Sequence, residues 1–148
     1  MKLRSLHTIA NTLEEAGYTT TLGENAVFVD LQHAGKPFPA VLQLLDDSLH
    51  ITCQLGLLSD FDQDELALVA INALAANVEM LPYAIAIIKP ADGADAAAVS
   101  AAPLVLINSV PIDDLSEDEI LWDIQKLQSA LIAGVGAISA AQKAGATA

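Results

Sequence analysis

Between Leu66 and Ala76 ten of eleven residues are apolar, and Asn72 alone interrupts them. Asp62-Gln-Asp-Glu65 leads into the run with an acid at a cap position and a Glu three residues later, the spacing of a capping box, so the run is predicted to be helical. A helix that is apolar nearly all round cannot lie on a sheet with its back in water. A second layer or a partner subunit has to cover it, and in a chain of 148 residues the expected cover is a second copy of the same chain. Leu66, Val69, Ala70 and Ala73 are therefore candidate homodimer contacts.

The segment after this helix extends the same surface. Pro82 opens a strand in which Tyr83, Ile85 and Ile87 occupy one face and Ala84, Ala86 and Ile88 the other. Both faces are apolar, so the strand is expected to be covered twice, which adds Tyr83 and Ile85 to the candidate contacts.

Local patterns place the remaining elements. Leu3, Leu6, Ala10 and Leu13 recur at helical spacing, and Gly17 is a natural stop, so the chain is predicted to open with a short amphipathic helix. Lys2 and Arg4 at its start and Glu14 and Glu15 at its end oppose the helix dipole, so this helix has to be held by packing. From Tyr18 the period changes to alternation, with turn material at Gly23-Glu-Asn25 and at Asp46-Asp-Ser48 and a break at Lys36-Pro-Phe-Pro39, predicting three or four antiparallel strands before the middle helix. Residues 91–103 read as an Ala-rich mobile connection with room for a short helical turn, leading to a strand at Leu104–Asn108. Ser116-Glu-Asp-Glu119 is a second capping box, and Ile120, Ile124, Leu127, Leu131 and Val135 form the apolar stripe of a last helix. The predicted fold is α+β, an antiparallel sheet flanked by helices in the order α-βββ(β)-α-ββ-α. It is read as a single domain over 1–133, followed at 134–148 by an Ala/Gly-rich tail, partly helical or disordered.

Charge narrows the function classes. Six Lys and Arg face 19 Asp and Glu, a net charge of -13, which repels a nucleic-acid backbone and an anionic membrane surface. No nucleic-acid or membrane partner is expected: Leu127–Gln142, the longest charge-free apolar stretch near the end, falls short of the roughly 20 apolar residues of a membrane span. Asn11, Glu14 and Glu15 interrupt the opening segment where a signal peptide would need an apolar core, and a lone Cys53 forms no internal disulfide, so a cytoplasmic location is expected.

The chemistry-bearing residues do not assemble into a motif. Asp60-Phe-Asp62-Gln-Asp64 imitates the start of a calcium loop, but Glu65 stands where such a loop needs Gly and Ile71 where it needs Glu. His7, His33 and His50 lie on separate elements without metal-ligand spacing, and Gly134-Val-Gly136 sits at the end of a helix, where a dinucleotide loop does not. No catalytic residue, metal or cofactor is expected, and the chain is read as a non-enzymatic protein. Two aromatic residues point outward instead: Trp122 falls on the polar side of the last helix among Asp118, Gln125 and Lys126, and Phe28 outward from the first hairpin. With Asp118 and Glu119, from the acidic stretch 113–123, they are candidate contacts for a partner protein carrying a basic or extended segment.

The segments LHTIANTLEEAG, LHITCQLGLL, DELALVAINALAANVEMLPYAIAI and LVLINSVPIDDLSEDEILWDIQKL, in this order, resemble the type III secretion chaperone-like fold and are similar in pattern to the YjfI-like bacterial proteins. The resemblance runs from Leu3 to about Ala133. It implies a small acidic homodimer, a chaperone or adaptor that holds an extended segment of another protein against its first helix and sheet. A second expectation from the YjfI-like pattern is an accessory role in a PspA-like bacterial envelope-stress system. The Ala-rich stretch at 91–103 and the Ala/Gly-rich tail have no counterpart in that pattern.

Overall fold

The computed structural model describes residues 5–147, so Lys2, Leu3 and Arg4 of the opening helix lie outside the described residues. Helix α1 (Leu6–Glu15) starts at a capping box in which Ser5 Oγ accepts the Thr8 N–H at 3.2 Å. It ends in a Schellman turn: Gly17 takes φ +98°, its N–H donates to Glu14 C=O, and the Tyr18 N–H donates to Leu13 C=O, both at 3.0 Å. A β-carbon at position 17 would be strained in this conformation, which is why glycine ends the helix.

Strands β1 (Thr20–Leu22) and β2 (Ala26–Val29) form the first hairpin, and β3 (Gln32–His33) and β4 (Lys36–Pro37) a small separate one. They are followed by β5 (Ala40–Leu45), β6 (Ser48–Leu57), α2 (Gln63–Ala76), β7 (Ala84–Ile87), α3 (Ala96–Ser100), β8 (Pro103–Pro111) and α4 (Glu117–Thr147). Six strands make one antiparallel sheet in the order β1-β2-β5-β6-β8-β7. The short helix α3 lies inside the stretch expected to be a connection, capped by Asp95, whose side chain accepts the Ala98 N–H at 2.9 Å.

Register explains why one face of the sheet is dry. Val29, Ala40, Cys53, Leu106 and Ile85 stand opposite one another across five strands, and all are buried. The next row, Val27, Leu42 and Ile51, is fully buried too. Helices α1 and α4 cover this face with Ile9, Leu13, Ile120, Ile124, Leu127 and Leu131. Phe28, Val41, Thr52, Ile107 and Ala84 form the alternate row on the opposite face, where none is fully buried.

Helix α4 opens at its expected cap, where Ser116 Oγ accepts the Glu119 N–H at 3.2 Å and the Glu119 carboxylate accepts the Ser116 N–H at 3.1 Å. It runs without a break across residue 133, and Ile138 and Ala141 belong to the core. The small residues of the segment have a packing role. A β-carbon on Gly134 would sit 3.3 Å from Leu55 Cδ1 and 3.7 Å from Ile85 and Leu106, so glycine lets the helix approach the sheet.

One expectation needs correction. Within the chain, strand β7 is not covered on both faces: Ile85 is buried, Ala84 and Ala86 are half-buried, and Ile87 and Ile88 are exposed, with the strand at the edge of the sheet beside β8.

Candidate protein-interaction surface

Helix α2 packs on α4 through one side alone. Val69 and Ala73 are buried, and Asn72, the polar interruption of the run, donates its side-chain amide to the Ala137 carbonyl of α4 at 3.2 Å. The outer side is bare: Ile71 and Leu74 on α2, with Val78 and Leu81 in the turns that follow it, are from 63% to 75% exposed, and Ala67, Ala70 and Ala75 are exposed beside them. These four are the most exposed of the large apolar side chains among the described residues, and they follow one another at spacings of three and four.

The bare stripe borders an apolar groove of about 430 Å3 between α2 and β7. Leu66, Ala70 and Leu74 form one wall, Ala86 and Ile87 the other, and Val69, Ala73 and Ile85 the floor. Its strand side carries an unusual plug. Ile88 N–H donates to Pro103 C=O, so by antiparallel alternation Ile85 and Ile87 direct their backbone groups away from β8. At Ile85 this outer position is filled by Asn77 just past α2: the Ile85 N–H donates to Asn77 Oδ1 at 2.7 Å, and Asn77 Nδ2 donates to the Ile85 carbonyl at 3.5 Å. One side-chain amide thus imitates a neighbouring strand and protects the sheet edge.

The expected contact residues separate into two groups. Leu66 and Ala70 lie at the groove surface, whereas Val69, Ala73 and Ile85 are its buried floor. Tyr83 is withdrawn from the interface altogether. Fully buried, it donates its hydroxyl to the backbone carbonyl of Asp123 on α4 at 2.8 Å, an anchor between β7 and α4. Burial foremost, with the charge of Asp123, pushes its phenol far above the usual tyrosine range. Asp123 is itself buried, and burial first and the Glu119 carboxylate second push its carboxyl up to about 6. Beside them is the buried side-chain amide of Asn108, whose interaction with the Tyr83 hydroxyl partly offsets the rise at Tyr83. The sequence held one signal for this buried trio: Asp123 stands between Ile120 and Ile124 on the apolar side of its helix.

The outward residues do not converge. Trp122 is 49% exposed on the solvent side of α4, with the Lys126 ammonium 5.3 Å above its ring, and Asp118 and Glu119 are exposed one turn before. Phe28, 40% exposed, lies on the opposite side of the molecule, on the open face of the sheet. Trp122 and Phe28 therefore lie on different surfaces.

A second cavity of about 680 Å3 lies under the β3–β4 hairpin, bounded by His33, Lys36, Phe38, Phe61, Ile138 and Ser139 among others. Two of its charged groups are engaged: Lys36 stacks on Phe38 with Nζ 5.3 Å from the ring, and Asp60 Oδ2 accepts the Leu57 N–H at 2.8 Å. Cys53 is buried with its thiol directed at the Phe38 carbonyl, and burial pushes it up to about 11, far from a nucleophile's range. Among the described residues no three His, Cys, Asp or Glu side chains gather where a metal ion would need them. Nor is any described helix long and apolar enough to cross a membrane.

Comparison with solved structures places the architecture. The fold matches that of YbjN from E. coli. The match has a TM-score of 0.66 at 15% identity and spans 92% of this chain and 93% of that one; YbjN is described as a candidate transcription regulator. No protein-family model matches the chain, and no curated protein matches it by sequence.

Proposed function

We propose that this chain is a non-enzymatic adaptor that works by holding a segment of another protein, with the outer side of α2 as its docking surface. The observation that carries the reading is the row Ile71, Leu74, Val78 and Leu81, left in water beside an apolar groove. A regulatory role, as described for YbjN, is compatible with it through protein contacts rather than through DNA. The net charge of -13 opposes a phosphate backbone, and Lys36 and Lys126 already lie against aromatic rings. The pattern shared with secretion chaperones and YjfI-like proteins agrees with an adaptor and supplies the expectations of a homodimer and a cytoplasmic site of action. The experiment is an affinity purification of the tagged full chain from its own cells, beside Ile71→Asp and Leu74→Asp. A protein partner recovered in stoichiometric amount by the wild-type chain and lost by both variants is expected. Equal recovery by all three chains would remove α2 from the account.

A further inference from the structure

We propose that the groove between α2 and β7 takes an amphipathic helix of another protein, flanked by Lys or Arg, and not an extended strand. This rests on the adaptor reading and specifies the occupant of its surface.

Shape and hydrogen bonding decide between helix and strand. An added strand needs free N–H and C=O groups along the edge of β7. That edge is four residues long and offers its outward groups at Ile85 and Ile87, and Asn77 occupies both groups of Ile85. A strand arriving there would lose half of its ladder. The groove asks instead for apolar side chains delivered from above, between Leu66, Ala70 and Leu74 on one wall and Ile87 on the other. A helix offers them at positions i, i+3 or i+4, and i+7, and α2 runs 14 residues, long enough to be followed by three such anchors.

Charge decides between another protein and a second copy. The groove's lining residues are uncharged. Asp62 and Asp64 are exposed at the start of α2 and Glu79 just past its end. Acids at a helix start stabilise that helix by themselves. The selective feature is that α2 itself carries no Lys or Arg, none occurring between Lys36 and Lys89. A second copy docked antiparallel on the same face would set Glu79 against the partner's acidic helix start and add a net charge of -13 to -13. A helix with Lys or Arg at its two ends meets acids at both.

The test is selection from a display library of random 16-residue peptides on the full chain, with counter-selection on Leu74→Asp, whose fold is checked by circular dichroism and a thermal melt. Enriched peptides are expected to carry Leu, Ile or Met at helical spacing with Lys or Arg on the flanks. Their affinity should fall at least about tenfold on Leu74→Asp and should weaken as salt is raised. Enriched sequences alternating with period two, acidic flanks, or no enrichment would overturn the helix proposal. So would a wild-type chain that light scattering finds dimeric and Leu74→Asp finds monomeric, since a second copy would then fill the face. The adaptor reading stands or falls separately, on whether the full chain brings down a stoichiometric partner through Ile71.

Discussion

Asp123 couples the interior of the molecule to pH. Its carboxyl is held at about 6 in the folded chain against 3.8 in an unfolded one, so the fold favours the protonated form. The stabilisation is therefore fully present below pH 3.8 and is lost as pH rises through about 6. Asp123→Asn, which stays neutral, should gain stability over the wild type as pH rises from 4 to 7, by at most about 3 kcal/mol, in urea melts at each pH. Parallel curves for the two chains would show that Asp123 is solvated as well in the native state as in the unfolded one. Tyr83 anchors the same region, and Tyr83→Phe should cost about 1 kcal/mol by removing the hydroxyl from the Asp123 carbonyl, read from the shift in the urea midpoint.

Among the elements, α4 depends on small residues where it meets the sheet. Gly134→Leu should destabilise by about 1–3 kcal/mol, because its side chain would be driven into Leu55, Ile85 and Leu106. Gly136→Ala, two residues on and with nothing within 4 Å of the new β-carbon, should stabilise by roughly 0.5–1 kcal/mol. Thermal melts of the two variants should move in opposite directions. Asn77→Ala should expose the edge of β7 and make the chain associate more readily through that strand, a change visible in sedimentation velocity as slowly growing oligomers. The elements defined by nearest neighbours were legible in the sequence: both capping boxes, the stop at Gly17, and the hairpins at Gly23–Asn25 and Asp46–Asp47 lie where local pattern put them. What was not legible depends on long-range pairing. Apolarity on both faces of residues 83–88 reads as double coverage, and the insertion of β8 between β6 and β7 turns the same pattern into an edge beside a groove. Gly134 likewise reads as the start of a weak tail until the sheet it packs against is in place.

At the scale of the whole molecule, one face of the sheet is covered by helices, and the most exposed large apolar side chains among the described residues gather on α2 and the turns just after it. The inference from the unbroken apolar run survives in half of its content. One side of α2 is covered by α4 within the chain, and the other is exposed. The sequence reading places partner contacts at Phe28, Trp122, Asp118 and Glu119; in the fold Phe28 lies on the open face of the sheet and the other three on α4, and the docking surface proposed above is instead the exposed stripe from Ile71 to Leu81. The most direct measurement is native mass spectrometry of the full chain isolated from its own cells, beside the Ile71→Asp variant with its fold verified. The wild-type chain should appear bound to a different protein, and Ile71→Asp without it. An identical complex in both samples would contradict the assignment of α2 as the docking surface.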